Sequence, residues 1–167
     1  SETYNQQTII DYVVHYNSLV KLKDNYMTDN FADTYFSRDD CAKIGYIRED
    51  IEKNYKKKNI NDRERAILIT SLLYAMDKIA KTCGHYDAYR KGAEFDKPLE
   101  LLVPLAEMHN NPNNRCYNED ANNLVGSINA DLVYIAPPYN SRQYLPNYHL
   151  LETIALYDNP EIYGVTG

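Results

Sequence analysis

Residues 131–148 hold the densest group of atoms suited to chemistry: Asp-Leu-Val-Tyr-Ile-Ala-Pro-Pro-Tyr-Asn-Ser-Arg-Gln-Tyr-Leu-Pro-Asn-Tyr. The apolar run 132–135 reads as a short strand, and Pro137 and Pro138 end it. Proline has no N–H and disfavours helix in the residue before it, so the backbone carbonyls of this turn stay free to accept hydrogen bonds. Tyr139 adds a flat ring able to stack on a planar group, and a polar loop with Arg142 and Tyr144 follows. Open α/β sheets place their sites at such turns, outside the carboxyl ends of strands. Ala136, immediately before the prolines, brings a methyl group and no acceptor.

The elements that must position this turn are mostly helical. Ile10, Val13, Val14 and Tyr16 or Asn17 recur at near-helical spacing over 7–19. Residues 23–36 are polar, aromatic and irregular and read as a loop. Ser37 has the features of an N-cap, with Cys41, Ile44, Ile47, Ile51 and Tyr55 following at helical spacing. Asn61 with Glu64 resembles a capping box and predicts a helix over about 62–82, apolar on most of its surface and therefore central. Gly84 stands where a glycine stop is expected. A polar loop over 84–97 leads to 99–103, a strand or extended segment closed by Pro104, and then to an Asn/Pro loop at 110–114.

From there the texture becomes α/β: strands at 115–118 and 131–135, helices at about 121–128 and 146–157, with Pro146 suited to a first helical turn. The expected fold class is α+β to α/β, with a mainly helical module or insert region over 1–112 and a partial Rossmann-like sheet over 113–167. One and a half β-α units are too few for a self-sufficient doubly wound sheet. The expectation is therefore a fragment of a larger α/β domain.

Composition narrows the classes. A net charge of −6 opposes tight nucleic-acid binding through the overall field, so any such affinity must come from local patches. Lys53, Lys56, Lys57, Lys58, Arg63 and Arg65 form one patch, which reads first as a solvated helix face; Lys78, Lys81, His85, Arg90 and Lys91 form another. There are 17 Tyr and no Trp. Cys41, Cys83 and Cys116 are far apart and odd in number, which points to reduced thiols of a cytoplasmic protein and to no metal site. No run approaches the roughly 18 apolar residues of a membrane span.

The run 136–139, with the strand before it, the loop after it and Tyr148-His149-Leu150-Leu151-Glu152 beyond, resembles the Asp-Pro-Pro-Tyr signature of adenine-N6-specific DNA methyltransferases. The likeness is to the Dam-like and type II restriction-modification subgroup. It implies transfer of a methyl group from S-adenosylmethionine to an adenine flipped out of double-stranded DNA. In such enzymes an Asp or Asn side chain accepts one N6 proton, the carbonyl of the first proline accepts the other, and the tyrosine stacks on the base. Here Pro137 and Tyr139 match that pattern, while Ala136 stands in the place of the Asp or Asn.

The resemblance reaches upstream. Tyr117-Asn118-Glu119-Asp120-Ala121 is similar to the strand end at which an acidic side chain meets the cofactor's adenine, so Asp120 is either that contact, the N-cap of the helix beginning at Ala121, or both. The stretch 77–92 resembles the subgroup's recognition insert. His85, Tyr86, Tyr89, Arg90 and Lys91 then touch phosphates or bases, or else belong to a structural loop with solvated charges. By the same likeness Arg142 and Tyr144 face the flipped nucleotide or its phosphate. The glycine-rich turn that holds the methionine part of the cofactor has no counterpart here, since Gly45, Gly84, Gly92 and Gly126 are isolated. The expectation is the middle of a longer enzyme, partnered by the rest of the methyltransferase or a second subunit and inactive as it stands. The alternative is a non-catalytic pseudo-methyltransferase acting as a DNA- or protein-binding module.

Overall fold

The computed structural model describes residues 3–106, 113–137 and 144–164. Four helices build the first part. Helix α1 (Gln6–Ser18) starts at Asn5, whose side chain accepts from the backbone N–H groups of Gln7 and Thr8, and it buries Ile9, Val13 and Tyr16. Helix α2 (Tyr26–Phe31) carries a reciprocal capping box between Asn25 and Thr28. Helix α3 (Arg38–Lys56) is capped by Ser37 and buries Cys41, Ile44, Ile47 and Ile51, the apolar positions expected from spacing. Helix α4 (Asp62–Ile79) begins with the Asn61–Glu64 capping box and packs against α1, α3 and a later helix. That central place is what its wide apolar surface requires. Two more helices follow, α5 (Ala121–Val125) and α6 (Tyr144–Leu156).

The expected sheet is absent. Among the described residues no strand forms, and the extended pairings reduce to two isolated bridges, Ala32 with Phe36 and Thr82 with Tyr89. The fold class of the described chain is thus helical, and the partial Rossmann-like sheet is corrected. The physical reason is pairing: a strand exists only through a neighbour's hydrogen bonds, and among the described residues no extended segment pairs with 132–135. Its side chains are correspondingly open, with Leu132 87% and Ile135 78% exposed. A second correction is α2 itself, which occupies a stretch read as loop. Its short apolar content (Met27, Phe31) gave no periodic signal, and its stability rests on the Asn25 cap and packing on α3.

Residues 99–103 run extended with helix side chains doing what an adjacent strand would do. Asn17 on α1 exchanges two hydrogen bonds with Leu101, Nδ2 donating to its carbonyl at 2.9 Å and Oδ1 accepting from its N–H at 2.9 Å. Asp40 on α3 accepts from the Leu99 N–H at 2.8 Å, Lys43 donates to the Leu99 carbonyl at 3.2 Å, and Ser71 on α4 donates to the carbonyl of Leu102. Leu99 and Leu101 are thereby buried in the core without orphaned backbone groups.

Gly45 on α3 is where α2 comes closest. A Cβ there would lie 2.2 Å from Asn25 Oδ1, and the Asn25 side chain also donates to the Ala42 carbonyl at 2.8 Å. Gly45→Ala should therefore dislodge the cap of α2 and one inter-helix hydrogen bond, a loss of about 1–3 kcal/mol. A lowered urea midpoint with an unchanged slope checks it; an unchanged midpoint means that Asn25 is not needed in this pose.

Candidate functional site

Ala136 and Pro137 lie at the end of the irregular stretch that follows Asp131, exposed on the surface. They border an open apolar hollow of about 550 Å³ formed by α5 (Leu124, Val125), Ile128 and residues 133–137. Ala121 and Asn122 of α5 also line it, and Asp120 caps that helix, Oδ1 accepting from the Asn122 N–H at 2.8 Å. The hollow thus joins the Asp120 end of α5 to the turn at Pro137. Pro138, Tyr139 and Arg142 fall outside the described residues. Tyr144 is the first residue of α6, its ring 5.9 Å from that of Tyr148.

The segment 81–90 is closed into a tight excursion by three elements. The Lys81 N–H donates to the Tyr35 carbonyl, the Arg90 N–H donates to the Lys81 carbonyl, and Thr82 bridges Tyr89. Gly84 sits within this turn at φ +98°, the left-handed region open to glycine, so it serves the loop and not the end of α4, which already stops at Ala80. Arg90 and Lys91 emerge on the surface, with His85 and Tyr89 half-buried. Tyr86 points inward and is only 2% exposed. Its hydroxyl lies beside Asp77, and burial together with that carboxylate holds its pKa above the ordinary phenol value.

Tyr86 also connects the excursion to α6. Its N–H donates to the Asn147 carbonyl at 2.8 Å, and its own carbonyl accepts from the Tyr35 hydroxyl. The Tyr35 ring packs against Tyr86, Tyr89 and His149, with centroids at 5.4, 5.6 and 6.4 Å. An aromatic cluster therefore holds the recognition-like loop and the first half of α6 together.

At the other end of α6 stands Arg48, a residue on α3 that is 1% exposed. Its Nε donates to the Ile154 carbonyl at 2.7 Å and its Nη2 reaches the Ala155 carbonyl at 3.4 Å, two acceptors the last helical turn leaves unused. Its Nη1 pairs with Glu52 at 3.0 Å, and Arg65 on α4 joins the same carboxylate at 2.8 Å. Burial alone would raise the Glu52 pKa, but hydrogen bonds from Arg65 and Arg48 outweigh it and hold the carboxyl below its usual range. A depressed carboxylate stabilises the fold fully above its unfolded pKa, about 4.3, and loses that contribution as pH falls through the lower folded value. Acid titration of the melting temperature should show this loss below pH about 4, and Glu52→Gln should remove that part of the slope; an identical slope in the variant means that the pair contributes nothing.

The thiol chemistry is bland. Burial pushes the Cys41 thiol up to about 12, so it stays protonated, and no group of three metal-ligating side chains occurs among the described residues. No described helix is long and apolar enough to cross a membrane.

Comparison with known proteins decides the kinship of this turn and its helices. The D12 class N6 adenine-specific DNA methyltransferases match residues 3–167. The chain belongs to this methyltransferase family. It is 43% identical over 134 residues to the type II methyltransferase M.FokI of Planomicrobium okeanokoites, covering 80% of this chain and 21% of that protein. The modification methylase LlaI of Lactococcus lactis subsp. lactis is 39% identical, with 80% and 22% covered. The type II methyltransferase M.NlaIII of Neisseria lactamica is also 39% identical, with 80% and 40% covered. The chain thus spans about a fifth to two fifths of the length of these relatives. No solved structure matches it.

Within this methyltransferase chain the structure brings Ala136, Pro137 and the Asp120 end of α5 to one hollow, and His85, Tyr89, Arg90 and Lys91 to one loop. The first group lies on α5 and residues 133–137, and the second on the 81–91 excursion. Arg48, Tyr35 and Asn147 went unnoticed in the sequence. A lone arginine in the apolar stripe of α3 was the only available signal for Arg48.

Proposed function

We propose that the chain is the recognition and catalytic-motif portion of a type II adenine-N6 DNA methyltransferase that acts on double-stranded DNA in the cytoplasm. The family match across 3–167, together with the Pro-Pro-Tyr motif in the sequence, is the observation that carries this reading. Residues 1–112 serve as the recognition region and 113–167 carry the catalytic motif, with α6 packed back onto the first. Adenine N6 is a weak nucleophile because its lone pair is drawn into the ring. The Pro137 carbonyl accepts one of its protons, and Tyr139 stacks on the flipped base. Tyr144, together with Arg142, faces the nucleotide or its phosphate.

Arg90 and Lys91 supply surface charge for phosphates, with His85 and Tyr89 beside them. Tyr86, being buried, supports that loop from within. Asp120 is compatible with a cofactor role as well as a cap, because a carboxylate accepts more than one hydrogen bond. The apolar hollow lined by α5 and residues 133–137 supports a seat for the adenine end of S-adenosylmethionine, which when bound provides the electrophilic methyl group. No glycine-rich turn suited to the methionine end occurs in this sequence.

Ala136 favours a second reading, a pseudo-methyltransferase that keeps recognition without transfer. The test uses the full-length protein with labelled S-adenosylmethionine and duplex DNA, as it stands and as Ala136→Asp, followed by nucleoside analysis. Label on N6-methyladenine in the Asp variant supports the enzyme. DNA binding with no transfer by either protein supports the pseudo-methyltransferase, and label on cytosine overturns both.

A further inference from the structure

We infer that Arg48 is a positioning residue for methyl transfer: from α3 it clamps the carboxyl end of α6 and so sets where the helix following the Pro-Pro-Tyr turn can lie. This rests on the proposed adenine-methyltransferase activity. In sequence the motif 136–139 is followed, after four intervening residues, by Tyr144, the first residue of α6, which makes that helix its nearest described downstream element. That helix is held at both ends by the helical module. The Tyr86 N–H grips its first half through the Asn147 carbonyl, and Arg48 grips its end through the Ile154 and Ala155 carbonyls. Leu150, Thr153 and Ile154 fill the space between the two grips, against the core.

Packing alone does not call for this arginine. A buried ion pair is commonly no more stabilising than apolar residues of the same volume, whereas a fork of directed donors admits a single register of its acceptors. A second oddity stands at the same place. Tyr157, the residue after α6, adopts φ 59°, a left-handed conformation that a bulky side chain disfavours, and its ring lies 4.6 Å from the Arg48 guanidinium. Arg48 thus secures both the last carbonyls of α6 and the turn that leaves it. Through Glu52 it is tied in turn to Arg65 on α4, so the register of α6 is read from two helices of the recognition region. A shift of about 1 Å in a group that holds substrate can lower the rate about a hundredfold without weakening binding.

The test compares Arg48→Met, which keeps volume and removes the donors, with Arg48→Lys, which keeps the charge and loses the fork, both in full-length protein carrying Ala136→Asp. The expected result for Arg48→Met is a kcat lower by about ten- to a hundredfold, with KM for duplex DNA within about threefold and partial recovery in Arg48→Lys. Amide exchange should quicken over 144–156 and stay slow in α3 and α4. Unchanged kcat in folded Arg48→Met overturns the inference, as does a fall in kcat matched by an equal loss of folded protein or of DNA affinity. If Ala136→Asp itself transfers no methyl group, the activity reading fails by itself. Exchange then decides the clamp: faster exchange confined to α6 supports it, and unchanged exchange overturns it.

Discussion

Ala136→Asp in the full-length protein is expected to raise the rate of adenine-N6 methylation by about a hundred- to a thousandfold, the usual worth of one positioned hydrogen-bonding group at a reacting centre. The amino group must turn its lone pair from the ring towards the methyl donor, and two acceptors do this better than one. The Pro137 carbonyl is already available; the second acceptor is missing because Ala136 ends in a methyl group. Ala136 is exposed at the rim of the hollow, so a carboxylate there displaces no core atom and loses little hydration before substrate arrives. Single-turnover rates at saturating cofactor read the effect, and Ala136→Asn should recover part of it. An absence of gain in protein that binds both DNA and cofactor would remove position 136 from the mechanism.

Asn17→Ala carries the largest expected loss of stability. The two groups it abandons, the N–H and carbonyl of Leu101, belong to a residue 1% exposed, so water does not replace the lost partner. An unsatisfied buried group costs about 1–3 kcal/mol, which puts the pair at roughly 2–6 kcal/mol. Set against a usual total of about 5–15 kcal/mol, that is enough to leave the 99–103 segment loose at ordinary temperature. Chemical denaturation should show a clearly lower midpoint, and Asn17→Asp, which keeps only the acceptor, should fall between. A change below about 0.5 kcal/mol would mean that the backbone finds other partners.

Much of the helical part was legible because its signals are local. Asn61 with Glu64, Ser37 before acidic residues, and the Ile44, Ile47, Ile51 spacing are each complete within one or two turns, and the structure realises all three. The family was legible for the same reason, through a short contiguous motif and its flanks. What could not be read depends on distant partners. Residues 132–135 have strand composition, but a strand needs a neighbour, and the described chain has none to offer. Tyr86 reads as one aromatic among several in a polar loop until Tyr35, Asn147 and His149 converge on it from far along the sequence. Arg48 carries no motif, and its meaning lies in two carbonyls of a helix about a hundred residues away.

The bare segment 132–135 has a consequence for handling the chain. Leu-Val-Tyr-Ile, exposed and without a backbone pairing among the described residues, is a template on which a second copy can add a strand, the first step towards cross-β assembly. Pro137 and Pro138 act as gatekeepers against it, since neither can donate to a growing ladder. The two prolines of the motif therefore also cap the length of any misassembled ribbon.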